Sequence, residues 1–170
     1  GIFAILFSCA KQTAPERFYS VRKPGKGWKA VREGGADRAW YNAEYSSVIY
    51  IDTNCGRKFE DRKLEDAYRS LTKGIATGEP SRIDILQIDG REGLLLYQPG
   101  VLDGVPVEIG AAIVSKNGCL FDFLYIAPTS SFESGKPDFL ETVESLKTNR
   151  SKTQGLPSKR EKPGEPEPPR

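Results

Sequence analysis

Between Arg82 and Ile126 the apolar residues fall into four segments separated by three two-residue turn signals. Asp89-Gly90, Asp103-Gly104 and Asn117-Gly118 stand 14 residues apart, and each is flanked by strand-like sequence, the strongest short-range cue for a β-hairpin. The segments Arg82 to Ile88, Arg91 to Gln98, Val105 to Ser115 and Cys119 to Ile126 therefore predict an antiparallel meander. Shared strand length, rather than an internal repeat, accounts for the even spacing. Leu94-Leu95-Leu96 and Leu120-Phe121-Asp122-Phe123-Leu124 are apolar at both parities. A strand of that kind belongs to a sheet covered on both faces, not one with a face in water.

Upstream, shorter β-type runs precede a change of period. Phe18 to Val21 is followed by the turn Pro24-Gly25-Lys26-Gly27; Trp28 to Val31 and Arg38 to Tyr41 flank Glu33-Gly34-Gly35-Ala36; Ser47 to Ile51 is a compact strand ending at Asp52. Leu64, Ala67, Tyr68, Leu71 and Ile75 then recur at helical spacing. Glu60 and Asp61 lie near the start of this stretch, where the helix dipole favours anions, and Gly74 and Gly78 lie at its end. A second helix is expected near Pro137, with Phe139, Leu140, Val143 and Leu146 turned inward. The fold class is α+β: a twisted antiparallel sheet of about six to seven strands covered by helices, in one domain over residues 18–147.

Composition narrows the chemistry. The net charge of +2 is too small for a nucleic-acid binder, which shows a strong basic excess on one face. Histidine is absent, which removes the usual general base near neutral pH and excludes Ser-His and Cys-His nucleophile systems. No cofactor and no metal is expected. Residues 148–170 hold five prolines, and one aliphatic residue, Leu156; such a segment cannot bury enough surface to fold and reads as a disordered tail.

The first residues carry an address. Ile2 to Phe7 is an apolar run that stops at Ser8-Cys9, far short of the roughly 20 residues needed to span a bilayer. It reads as the end of a signal h-region, the end of a transmembrane helix or a buried strand. The small Ser8 before Cys9 favours the first. Leu6-Phe7-Ser8-Cys9 resembles the lipobox of bacterial lipoproteins, which implies that residues 1–8 end a signal peptide and that Cys9 carries the lipid. Residues 9–17 would then be a tether. A chain opening at Gly1 with no Met is expected to be a fragment lacking the charged start of that signal. Two or three acyl chains exceed what stable anchoring needs, at about 0.8 kcal/mol per buried methylene. The resemblance thus implies a membrane partner through Cys9 and a place in the bacterial cell envelope. Ala10 is not the acidic residue that retains such proteins at an inner membrane, so an outer membrane facing the periplasm is expected.

Cys55 and Cys119 remain. In an exported protein two leftover cysteines are read as one disulfide, and both stand beside turn signals, Asn54-Cys55-Gly56 and Asn117-Gly118-Cys119. Two buried free thiols are the alternative. Without His, the pair cannot complete a four-ligand structural zinc site.

The order of elements, a strand pair, one helix, a long meander and a terminal helix, resembles the PsbP-like fold shared by the photosystem II subunit P family and a Ran-binding protein family. The resemblance covers Phe18 to Lys147. The runs Cys55-Gly56-Arg57-Lys58-Phe59-Glu60-Asp61 and Asn117-Gly118-Cys119-Leu120-Phe121-Asp122-Phe123 are similar to those of bacterial lipoproteins. It implies a non-enzymatic binding or assembly factor.

Few residues stand out as candidate sites. Asp122 lies in an apolar strand and needs a cationic or hydrogen-bonding partner if buried; Arg57 and Arg91 are the candidates for a structural ion pair. Trp28, Trp40, Tyr41 and Tyr45 could line a partner surface or fill the core. Glu60-Asp61 with Glu65-Asp66 offers the paired carboxylates of a glycosidase, although charges at a helix start are usually solvated. The leading expectation is a membrane-anchored, non-enzymatic envelope lipoprotein that binds a protein partner or supports assembly. The alternative is a small-ligand carrier or sensor with a pocket between sheet and helix. A carboxylate-based hydrolase is kept as a minority reading.

Overall fold

The structure, a computed structural model of the chain, describes residues 19–32, 35–56, 59 and 62–149. The lipobox with Cys9, the tether to residue 17, residues 150–170, Arg57, Glu60 and Asp61 lie outside the described residues.

Strands β1 (Tyr19–Ser20), β2 (Trp28–Val31), β3 (Arg38–Asn42) and β4 (Ser47–Cys55) come first, followed by helix α1 (Leu64–Thr72). Strands β5 (Arg82–Ile88), β6 (Arg91–Leu102), β7 (Val105–Lys116) and β8 (Cys119–Pro128) form the meander, and helix α2 (Phe132–Glu144) and strand β9 (Lys147–Thr148) close the fold. Seven strands make one sheet in the order β2-β3-β4-β8-β7-β6-β5, with every neighbour antiparallel. The chain leaves the middle of the sheet at β4, crosses one face as α1 to the far edge, and returns strand by strand until β8 lies against β4.

The three predicted hairpins are set by their turn residues. Asp89, Asp103 and Asn117 have φ of 49°, 49° and 53°, and the glycine after each is also left-handed. Two consecutive left-handed residues make the type I′ turn, whose twist matches that of the flanking strands.

The sheet is covered on both faces. Ile49, Ile51, Leu95, Tyr97, Val114, Phe121, Phe123 and Tyr125 pack with Phe132, Phe139 and Val143 of α2. On the opposite face Leu94, Leu96, Ile109, Ile113, Leu124 and Ile126 pack with Ala67 and Tyr68 of α1. The alternation of odd and even residues along β6, β7 and β8 between the two sets is the period of two that a doubly covered strand requires.

Three local readings are corrected. Pro137 lies inside α2 rather than at its first turn, because the helix begins at Phe132; the preceding Pro128-Thr129-Ser130-Ser131 turn, with the Ser131 hydroxyl donating to the Tyr45 carbonyl at 2.7 Å, starts it earlier. Strand β6 runs through Pro99-Gly100 to Leu102. There the stretch after α1 lies alongside, with Thr77 N–H donating to the Pro99 carbonyl at 3.0 Å and Val101 N–H to the Ile75 carbonyl at 2.9 Å. Thr148, read as the start of the tail, pairs in β9 with Tyr19 of β1.

Candidate functional site

The four aromatic residues read as a partner surface do not form one. Pairing of Trp28 with Asn42 and of Ala30 with Trp40 puts both indoles on the face turned to α2, where they are 2% and 6% exposed. The Trp28 Nε1–H donates to Asp138 Oδ2 at 2.9 Å, so even its polar edge is satisfied by the helix. Tyr45 packs half-buried against the same core. Tyr41, on the opposite face, is 42% exposed.

Arg91 is not the partner of Asp122. Asp122 stands opposite Ile113, which stands opposite Leu94, so Asp122 belongs to the face covered by α1. Arg91 differs from Leu94 by an odd number of residues, points to the other face, and is exposed in the β5–β6 hairpin. The residue directly across from Asp122 on β4 is Asp52, which places two carboxylates side by side. Glu65 and Asp66 are exposed in the first turn of α1, the solvated position that the helix dipole favours.

Cys55 and Cys119 face each other in register on β4 and β8 and form a disulfide closing a sequence separation of 64. The bridge joins the end of β4 to the start of β8, and the Gly56 N–H donates to the Gly118 carbonyl at 3.0 Å just beyond it.

A cleft of about 260 Å³ opens where α2 meets β5, β6 and β7. Arg82 and Ser81 line it from the start of β5, Tyr97 from β6, Glu108 from β7, and Thr129, Phe132, Glu133 and Lys136 from the approach to and first turns of α2. Lys136 Nζ stands 4.5 Å from the centre of the Tyr97 ring and 3.5 Å from Glu133 Oε2. Burial pushes the Tyr97 hydroxyl up to about 12, with the Asp84 charge adding and Arg82 opposing. Burial also raises the Glu108 carboxyl, helped by the negative charge of Glu133 and opposed by Lys136. The cleft is thus small, charged and internally balanced. Ligand pockets are typically about 300–1,000 Å³ and mainly apolar, so its size and lining do not match the pocket that a small-ligand carrier requires. Nothing in the sequence links these residues as a site, because they come from four separated segments and share no local spacing.

The edge of the sheet at β5 has a different character. Ile83 and Ile85 are 59% and 69% exposed, more than any other large apolar residue described. Both lie on the α1 side, beyond the reach of that helix, while Arg82 and Asp84 alternate with them on the other face and are joined at 2.8 Å. A second exposed apolar group, Val101, Leu102 and Val105, sits at the tip of the β6–β7 hairpin. Among the described residues no group of three or more acidic or Cys side chains is placed to hold a metal ion. No described helix is long and apolar enough to cross a membrane.

This three-layered arrangement, an antiparallel sheet with one helix on each face and a small terminal ribbon, is the PsbP-like α+β fold. It is shared with the solution structure of cyanobacterial PsbP (CyanoP) from Synechocystis, at 14% identity and a TM-score of 0.57, covering 81% of this chain and 91% of that one. It is shared also with LpqN of Mycobacterium tuberculosis, a protein described as involved in cell envelope biogenesis, at 12% identity and a TM-score of 0.54 over 77% of this chain and 83% of that one. A protein of unknown function from Pseudomonas aeruginosa matches at 13% identity with a TM-score of 0.51, over 81% and 88% of the two chains. At these identities the likeness establishes the fold. No protein-family model matches the sequence, and the search of curated proteins finds no match.

Proposed function

We propose that the chain is a lipid-anchored, non-enzymatic module of the bacterial cell envelope that binds protein through the β5 edge of its sheet. The observation that carries this reading is the exposure of Ile83 and Ile85 on the outermost strand. An edge strand exposes unpaired backbone donors and acceptors and is a template for another strand; natural proteins normally blunt it with charge, proline or a cover. Here the charges of Arg82 and Asp84 are joined to each other at 2.8 Å, and two β-branched apolar side chains stand exposed beside them. The lipobox Leu6-Phe7-Ser8-Cys9 supplies the membrane anchor, and the likeness to LpqN, itself described as acting in envelope biogenesis, supports the compartment.

The test is site-specific photocrosslinking in native membranes, with the photoreactive side chain at position 85 and a control at exposed Glu144. The reading expects a protein adduct from position 85 and none from position 144. Equal labelling from both, or none from either, would overturn it.

A further inference from the structure

We infer that the occupant of the β5 edge is β5 of a second copy of this chain, paired antiparallel about a two-fold axis at Ile83. This rests on the proposed use of β5 as a binding edge and names what binds there.

The backbone sets which residues can bond outward. Ile88 and Arg91 flank the two-residue turn and pair across it, and the flanking pair of such a hairpin is hydrogen-bonded. Hydrogen-bonded and non-hydrogen-bonded pairs then alternate along an antiparallel ladder. Residues 82, 84, 86 and 88 therefore bond to β6, and Ile83, Ile85 and Gln87 turn their N–H and C=O groups away from the sheet. The two residues with the most exposed apolar side chains are thus among the three with outward backbone groups.

Charge selects the partner. An antiparallel strand laid on β5 must offer an apolar side chain to Ile83 on one face. On the other face it must place an acid opposite Arg82 and a base opposite Asp84. Read in its own direction, the partner carries base, apolar residue, acid. Arg82-Ile83-Asp84 has that order itself. With the axis at Ile83, Arg82 of each copy faces Asp84 of the other, the two Ile83 side chains meet, and Ile85 lies opposite the small Ser81. Moving the axis to Asp84 puts like charges opposite each other, and moving it to Ile85 puts Asp84 opposite Leu86, so neither keeps the match. The Ser81 N–H already donates inward to the Tyr97 carbonyl at 2.8 Å, which ends the outward ladder there. The contact is short, which makes a concentration-dependent dimer rather than an obligate one; confinement to a membrane surface would raise its occupancy.

The test uses the full chain, with Cys9→Ser in every variant so that association is read in solution. Sedimentation should show the mass doubling with concentration. Arg82→Asp should weaken association about tenfold, and Arg82→Asp combined with Asp84→Arg should restore it. Ile83→Cys should oxidise to a reducible covalent dimer, since a hydrogen-bonded pair sets the two Cα atoms about 5.5 Å apart, within disulfide reach. Gln87→Cys should not. Circular dichroism confirms that each variant is folded. A single monomeric mass at all concentrations, a charge swap that fails to restore association, or equal crosslinking at positions 83 and 87 would overturn the inference. A position-85 adduct to a different protein, with no dimer, would overturn it while leaving the proposed function standing. No adduct at all would remove both.

Discussion

Thr148 gives both its backbone N–H and its hydroxyl to one oxygen of Asp89, each at 2.8 Å. Lys116 Nζ reaches the same Oδ2 at 2.9 Å and donates to the Asp89 carbonyl as well. Asp89 holds the left-handed first position of the β5–β6 turn, so one side chain ties that turn, the end of β7 and the β9 ribbon together. Replacing it by Asn keeps the size and the turn preference but removes the charge that strengthens three hydrogen bonds. Charge-assisted bonds contribute about 1.5–3 kcal/mol. Asp89→Asn should therefore lower the urea-unfolding free energy by roughly 2 kcal/mol, with amide exchange at Thr148 and Tyr19 accelerated more than in the central strands.

The same carboxylate makes stability depend on acidity. Burial alone would raise its pKa, but the hydrogen bonds from Lys116 and Thr148, with the Lys116 charge, outweigh it and bring the value down from 3.8 to about 2. The folded protein thus takes up this proton less readily than the unfolded chain. The contribution is fully present above about pH 4 and disappears as pH falls towards 2, and it amounts to about 2 kcal/mol for a side chain only 16% exposed. The stability gap between the parent chain and Asp89→Asn should close over that interval. A gap that stays constant from pH 6 to pH 2 would contradict it.

The parts of this molecule that could be read in advance are those whose physics is local. Asp-Gly and Asn-Gly force a left-handed pair wherever they stand between strands, and β5 runs from Arg82 to Ile88 in the structure as its sequence predicts. Doubly apolar strands declared a doubly covered sheet. Trp28 and Trp40 could not be assigned to core or surface, because a four-residue strand carries too little alternation and the pairing with β3 decides the face. Pro137 was misplaced because proline is commonest in a first helical turn, whereas here the Ser131 contact with Tyr45 starts α2 earlier. The cleft around Glu108 and Lys136 and the Asp89–Thr148 tie depend on long-range juxtaposition, which leaves no mark on nearby sequence. The β5 edge was half-visible: its alternation was plain, but its place at the border of the sheet was not.

The disulfide should matter more to the unfolded chain than to the folded one. Closing a loop with a separation of 64 residues is worth about 4 kcal/mol on the chain-entropy model. The Cys55→Ala, Cys119→Ala double variant should lose up to that much and unfold roughly 10 °C lower. Its far-ultraviolet spectrum should be unchanged below the transition, since β4 and β8 pair from Val48 opposite Ile126 down to Cys55 opposite Cys119. Alkylation in denaturant without reductant should label neither cysteine; labelling of both would show that the bridge does not form in the cell.

Gly135 shows how tightly α2 sits on the sheet. A Cβ at this position would come within 2.5 Å of Tyr125 Oη and 3.3 Å of Trp28 Cζ2. Tyr125 cannot easily move, because its hydroxyl donates to the Phe132 carbonyl at 2.8 Å and its ring stacks between Phe132 and Phe139 at 4.8 and 5.4 Å. In an open helix Gly→Ala is stabilising by about 1 kcal/mol. Here overpacking of about 1–3 kcal/mol opposes that gain, and Gly135→Ala should be net destabilising. Tyr125→Phe removes the atom that would be struck, so the double variant should lose less than the sum of the two single losses. Strict additivity would refute the close contact.

The proposed lipid anchor is a separate matter from the sheet, and it can be tested separately. If Cys9 is the lipidated residue, Cys9→Ser abolishes metabolic incorporation of palmitate and shifts the protein from the membrane fraction to the soluble one. The Cys55–Cys119 bridge lies in the folded domain and does not involve Cys9, so the thermal midpoint of the domain should change by less than its experimental error. On the same reading the uncleaved precursor should accumulate in Cys9→Ser, because cleavage at a lipobox requires its cysteine. Palmitate incorporation that persists in Cys9→Ser, or a parent chain recovered wholly in the cytosol, would remove the lipoprotein reading and with it the membrane confinement invoked for β5 pairing. The pairing test in solution would be unaffected.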